Sequence, residues 1–334
     1  MVLNTDRNYL LDISRGMAAC LVVFYHFGQA RSYPGWYEQL ISYGWLGVPI
    51  FFVISGYSIG ISLNNSTSIG LFVIKRIARI FPAYWVSLFI ILILIIINKI
   101  TTGNNSIVSL PKTTLDLFNT FFCLYQPFSK TTPINWVYWT LTYEIFFYLM
   151  FSLTLIFKHT YHKFLYLFIS ITSLFFPFFQ NLNALFFFKL IGYFIIGIAL
   201  NEIKKKNLIT ATLLILTSII SISHNRVYCT GAENKLSSII ALIAALGFAL
   251  LILIFSPYFK HKTVSTKIGN LSYGIYLFHI PLGIYLINIM GSSFIYKNNF
   301  FYISDILFLI FIIGFSGLIF KYIEKPIMNF VKKY

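Results

Sequence analysis

The chain has 334 residues, of which 58% are hydrophobic, 19% aromatic and only 10% charged, and its mean hydropathy is +0.80. Soluble proteins carry about 25% charged residues, so a water-soluble globular fold is excluded, and the same scarcity of charge with so many aromatics excludes disorder. The formal net charge of +16 must be weighed against the positive-inside rule of membrane proteins before it is read as a nucleic-acid footprint.

A spanning helix needs ~20 mainly apolar residues. Ten apolar segments are predicted to span, at roughly 9–28, 44–63, 78–98, 138–157, 163–179, 184–201, 207–223, 236–255, 270–290 and 302–323. The stretch 114–126 is apolar but too short to span, and is predicted to be interfacial or re-entrant within the longest loop, about 99–137. These segments predict an all-α, polytopic membrane protein, with residues 1–334 forming one membrane-embedded domain. With the N-terminus in the cytoplasm, about twice as many Lys and Arg fall on the inner side as on the outer, which favours both termini inside. The cations are spread over several inner loops rather than gathered in one basic domain, so nucleic acid is not an expected partner.

Asp12 and Arg15 interrupt the first segment and no small-residue cleavage site follows His26, so it reads as an uncleaved span rather than a signal peptide. Cys20, Cys123 and Cys229 lack metal-ligand spacing, and no metal is expected. Cys123 and Cys229 both fall on the outer side, where a disulfide between them is an alternative to free thiols. No internal repeat is evident.

Ionisable groups inside a span are costly and point to function. In the first span Asp12, Arg15 and His26 lie on one narrow helical stripe, with Arg15 and His26 ~16 Å apart along the axis. They are too far apart to touch but are predicted to line one cavity, while Asp12 and Arg15 can pair as i,i+3 neighbours. The second segment, GVPIFFVISGYSIG, reads either as a small-residue packing face or as a narrow channel shaped by Phe51, Phe52, Ser55 and Gly56. Next come Arg76 and Arg79, one turn apart at the expected cytoplasmic start of the third span, with Pro82 in its first turn or at a kink. They read as an ordinary positive-inside flank, or as an anion site in which guanidinium forks and free N–H groups meet phosphate. In the fourth span Glu144 is the lone acid, about one turn below an aromatic belt containing Trp136, Tyr138 and Trp139. A lone Glu in lipid must pair, protonate or face water. Trp136 and Trp139 serve as belt residues, and their faces can also stack on sugar rings. His279 and Pro281 interrupt the ninth span, where a histidine serves as a bundle hydrogen-bonder or as a catalyst.

Six segments in order resemble the acyltransferase-3 family of integral-membrane enzymes that O-acetylate cell-surface polysaccharides. They are LLDISRGMAACLVVFYH, GVPIFFVISGYSI, Arg76-x-x-Arg79 followed by Pro82, WTLTYEIFFY, LSYGIYLFHIP and the closing YIEKP. The resemblance implies a catalytic role for His26, a functional requirement for Arg15, engagement of the acyl-CoA donor by Arg76 and Arg79, and a site role for Glu144. It also implies acetyl-CoA as donor and co-substrate, a surface or lipid-linked glycan (O-antigen, lipopolysaccharide or exopolysaccharide) as acceptor, and residence in the bacterial inner membrane. Some members carry a C-terminal extracytoplasmic hydrolase-like domain, which this sequence is expected to lack. His26 can act as general base on a sugar hydroxyl or take the acetyl group itself, and Arg15 can stabilise the developing oxyanion or hold part of the donor. Other readings are a different acyl group or a small-molecule or lipid acceptor, and, from another class, a transporter or flippase of an anionic metabolite or lipid-linked sugar.

Overall fold

A computed structural model describes residues 8–31, 35–66, 68–103, 108, 110–179, 181–224, 235–285 and 301–333. Every regular element among them is helical. The α-helices are α1 Tyr9–Arg31, α2 Trp36–Ile41, α3 Gly47–Asn64, α4 Ile69–Thr102, α5 Thr114–Phe121, α6 Trp139–Ser152, α7 His162–Leu174, α8 Phe176–Phe179, α9 Ile191–Lys204, α10 Leu208–His224, α11 Lys235–Phe255, α12 Val264–Phe278, α13 Phe301–Ile319 and α14 Lys325–Val331. Among the described residues 6 helical stretches are long and apolar enough to cross a membrane: Tyr9–Ala30, Trp36–Asn64, Ile69–Thr101, Trp136–Ile156, Leu236–Tyr258 and Tyr302–Val331. They coincide with six of the ten predicted spans. The remaining predicted segments correspond to the shorter helices α7, α9 and α10, and to α12, which continues as a π-helix over His279–Tyr285. At 1.5 Å per residue the 13 residues of α7 cover ~20 Å, less than a ~30 Å hydrocarbon core. Positions 286–290 of the predicted ninth span, and Cys229, lie outside the described residues; Cys123 is a buried free cysteine.

The bundle is apolar outside, and its apolar core also holds buried polar groups. On α4 the exposed side chains Phe89, Ile93, Ile96 and Ile100 recur at i, i+4, i+7 and i+11, a single helical face. Ser87, Thr142, Ser170, Asp305 and His279 are instead completely buried. That distribution is the one expected when lipid is the solvent and polar groups satisfy one another between helices. The protein is therefore a multi-pass helical membrane protein.

Close backbone crossings bring the site helices together. A Cβ on Gly269 of α12 would lie 1.7 Å from the Asp12 carbonyl oxygen of α1, and one on Gly56 of α3 would lie 1.9 Å from the Phe194 carbonyl oxygen of α9. Only glycine allows either approach.

Two prolines shape the core. α4 begins at Ser68, whose side chain caps it by accepting from the Leu71 N–H at 3.2 Å. The helix thus starts well before the predicted 78, and Arg76, Arg79 and Pro82 all lie inside it. This corrects the expectation that the arginines sit beside free N–H groups at a helix mouth: the unpaired donors of a helix are confined to its first turn. Pro281 lacks an N–H, so the Leu277 carbonyl loses its usual i+4 donor. Ser87 Oγ at 3.2 Å and Asn135 Nδ2 at 3.3 Å replace it. The α-helix gives way to a π-helix just there, and the freed carbonyl ties α4 and the start of α6 to α12 beneath His279.

The predicted interfacial stretch begins as α5, closed by a capping box between Thr113 and Asp116. Its apolar Leu115, Leu117, Phe118 and Phe121 are exposed. Trp85 Nε1 donates to the Phe121 carbonyl at 3.1 Å, and Tyr84 donates to the Thr120 carbonyl, docking α5 on α4. Hydrogen bonds from Thr113 and Thr131 hold the Asp116 carboxyl below its usual range.

Candidate active site

The site is built on a ladder of hydroxyls along α3. Ser58 Oγ donates to the Ile54 carbonyl at 2.7 Å, Ser62 to Ser58 at 2.9 Å and Ser66 to Ser62 at 2.6 Å. A hydroxyl whose proton is committed to the helix backbone keeps its lone pairs for an external donor. Arg15 of α1 donates to Ser58 Oγ, and Arg76 of α4 donates to Ser62 Oγ. Arg15 is also paired with Asp12 at 3.4 Å, as its i,i+3 spacing predicts. Arg76 lies over the rings of Phe72 and Tyr148, 5.1 and 5.3 Å from their centroids.

Glu144 of α6 closes the other side. Its Oε1 accepts from Ser55 Oγ at 2.9 Å and from the Tyr148 hydroxyl. Its hydrogen bonds go to these two groups and not to either histidine. Arg15, Arg76, Arg79, Glu144, Ser55 and Tyr148 line one cavity, together with Phe51, Phe52 and Tyr276. Four of the sequence-predicted charged residues, drawn from three helices, thus meet in a single chamber. Gly56 does not line it but packs on α9. The second segment is therefore both a packing face and a chamber wall: Phe51 and Ser55 line the chamber, Gly56 packs on α9, and Phe52 does both, its ring stacked on Phe194 at 4.5 Å.

His26 stands apart from that chamber, contrary to the expectation that the whole α1 stripe lines one cavity; it is not among the lining residues. The ~16 Å between Arg15 and His26 along α1 is interrupted by Tyr276 and Phe51, whose rings pack at 5.8 Å. Tyr276 is held by a hydrogen bond with Thr140 Oγ1 at 2.8 Å and packs 5.7 Å from His279. His279 in turn stacks on His26 at 5.2 Å, with 30° between the rings. The sequence singled out His279 but not its partnership with His26.

The partners of the two rings dictate their neutral tautomers. An indole N–H only donates, so the Trp136 Nε1 contact at 3.4 Å makes His26 Nδ1 an acceptor and leaves the ring proton on Nε2. A backbone carbonyl only accepts, so His279, 2.6 Å from the Tyr276 carbonyl through Nδ1, is protonated there. Its buried Nε2 has no partner among the described residues and carries a free lone pair. Trp136 is half in this cluster and 41% exposed, so it is more than a belt residue. Trp139 packs edge-on against Tyr143 at 5.7 Å and does not touch the chamber or the histidines.

Three groups essential to this arrangement escaped the sequence reading. Ser58 and Ser62 recur at i+3 and i+7 from Ser55, and Tyr148 stands at i+4 from Glu144, so each was signalled only by helical spacing from a residue already chosen.

The profile of a family described as an acyltransferase domain, Acyl_transf_3, matches residues 8–322. Among curated proteins, the chain is 28% identical over 165 residues to nodulation protein 10 of Rhizobium leguminosarum bv. viciae, a match covering 43% of this chain and 43% of that relative. The match thus spans less than half the length of this relative. No solved structure matches the chain. The family match runs over nearly the whole sequence and includes every residue of the chamber and both stacked histidines: the chain belongs to the acyltransferase-3 family.

Proposed function

We propose that this protein is an O-acyltransferase that moves an acetyl group from cytoplasmic acetyl-CoA to a hydroxyl of a cell-surface or lipid-linked glycan, within a bacterial inner membrane crossed by ten helical segments with both termini inside. The observation that carries the reading is the alignment of two sites along α1. A chamber rich in guanidinium groups surrounds Arg15, and a pair of stacked imidazoles surrounds His26, with Tyr276 and Phe51 between them. An anionic donor and an uncharged hydroxyl acceptor are the substrates that such an asymmetric pair suits.

In this reading the acyl-pantetheine arm enters the chamber, and its thioester reaches the Tyr276–Phe51 constriction. The acceptor hydroxyl arrives at His26 from the opposite side, past Trp136. The hydroxyl displaces the Trp136 N–H from His26 Nδ1 and gives its proton to that lone pair as its oxygen attacks the thioester carbonyl. Guanidinium and N–H donors steady the oxyanion, and the thiolate leaves with CoA. Glu144, tethered to Ser55 and Tyr148, offsets the charge of the arginines so that the empty chamber is not a cluster of like charges.

The test is acyl transfer by purified protein with acetyl-CoA, alongside NMR of the host's surface polysaccharide with and without the gene. Arg76→Ala/Arg79→Ala is expected to raise the KM for acetyl-CoA by at least tenfold while the protein still purifies as a folded species; charge-assisted hydrogen bonds contribute ~1.5–3 kcal/mol each. Substrate flux without acyl transfer would instead identify a transporter. Trp136→Phe keeps an aromatic side chain, smaller than indole, and removes the N–H that donates to His26 Nδ1. Turnover is expected to change about fivefold, the equivalent of one neutral hydrogen bond of ~1 kcal/mol, with a displaced pH–rate profile. An unaltered rate and profile would make the Trp136 bond incidental.

A further inference from the structure

A second cavity, of about 380 Å³, opens beside the first. The two share Arg15, Arg79 and Tyr273, so they adjoin. The second is walled by the start of α12, by the π-helical turn Phe320–Glu324 that ends α13, and by α14. Its charge is one-sided: Arg15, Arg79, Lys262, Lys325 and Lys332 face it, with Glu324 as the single carboxylate.

The α14 contribution is a pattern rather than a scatter. Lys325, Met328, Asn329 and Lys332 stand at i, i+3, i+4 and i+7, one face of a helix, and all four line the cavity. Arg79, Lys262, Lys325 and Lys332 form no salt bridge among the described residues. An unpaired cationic face turned into a concavity, rather than spread along a membrane surface, calls for a polyanionic occupant of fixed shape.

We infer that this vestibule binds the phosphorylated nucleotide of the acyl donor, with Lys325 and Lys332 on its 3′-phosphate, while the pantetheine arm passes Arg15, Arg79 and Tyr273 into the chamber. The inference rests on the acyl-CoA reading above and adds to it a phosphate subsite on the last helix, separate from Arg76. An anionic lipid headgroup shares the same phosphate chemistry, and the experiment separates the two sources.

Equilibrium binding of CoA and of dephospho-CoA, which lacks only the 3′-phosphate, is measured on the full-length protein in nanodiscs of phosphatidylcholine with and without phosphatidylglycerol. The wild type is expected to prefer CoA about tenfold, as loss of a charge-assisted contact requires. Lys325→Ala/Lys332→Ala is expected to bring the ratio to about one by weakening CoA alone, and Lys325→Arg/Lys332→Arg to retain it. The ratio of two ligands on one preparation does not depend on how much of the variant folds, and Lys332→Gln, at the end of α14, provides a milder second variant expected to lower it. An unchanged ratio in the alanine and glutamine variants overturns the subsite while leaving the acyl-CoA reading intact. Loss of a phosphatidylglycerol effect with the ratio preserved overturns it in favour of a headgroup site. A wild type that binds neither ligand overturns the acyl-CoA reading itself.

Discussion

His26→Ala is expected to lower acyl transfer by about 10²–10⁴-fold, the range associated with a lost general acid–base group, and to remove O-acetyl signals from the surface polysaccharide of cells that express the variant at normal level. The geometry explains why so small a change carries so large an effect. His26 stacks on His279, and its ring is held between that imidazole and the Trp136 N–H. Full acetylation in His26→Ala cells would move the chemistry elsewhere, and the obvious destination is the unpartnered Nε2 of His279. Comparing His279→Ala separates the cases. If His279 only positions His26, its loss is smaller and is accompanied by a changed pH profile; if it accepts the proton directly, the two losses are equal and not additive.

The second large effect is expected from a residue with no chemistry of its own. Gly269→Val would push branched methyls into the Asp12 carbonyl, which already lies 1.7 Å from an ideal Cβ. Backbone cannot yield as a side-chain tip can, so α1 and α12 must separate. Overpacking costs about 1–3 kcal/mol, and more where backbone is struck. The expected readout is a lower midpoint of thermal unfolding in detergent and a reduced monodisperse yield, with activity per folded molecule also lost, because Arg15 and His26 ride on α1 while Tyr276 and His279 follow α12. Gly247→Ala is the control: nothing lies within 4 Å of its added methyl, and a helix interior gains roughly 0.5–1 kcal/mol from alanine over glycine. Equal behaviour of the two variants would remove the crossing from the account.

The membrane class and the positions of the charged groups were legible because they depend on local quantities. A run of apolar residues is long enough to span or it is not, and an ionisable group inside it is costly wherever the helix sits. That logic singled out Arg15 and Glu144, and helical spacing added Asp12 beside Arg15 and joined Arg76 with Arg79, since i,i+3 neighbours are brought together by the helix itself. It misplaced the start of α4, because a capping serine followed by a helix that is charged in its third turn looks, in composition, like a loop leading to a span.

The tertiary structure alone decided how the singled-out residues are grouped. Glu144 belongs with the arginines through Ser55 and Tyr148, while His26 belongs with His279 and Trp136, more than a hundred positions away in sequence. No periodicity encodes such pairings, since they depend on which helix faces cross and how closely. Here that is determined by missing atoms: the absent side chain at Gly269 and the absent N–H of Pro281, whose orphaned Leu277 carbonyl recruits Ser87 and Asn135. The sequence by itself therefore determined a helical membrane protein and singled out ionisable groups inside its spans, because length and desolvation act on each segment alone. Their division into a guanidinium chamber and a separate imidazole pair was decided by helix crossings, because close approach is a property of two surfaces at once.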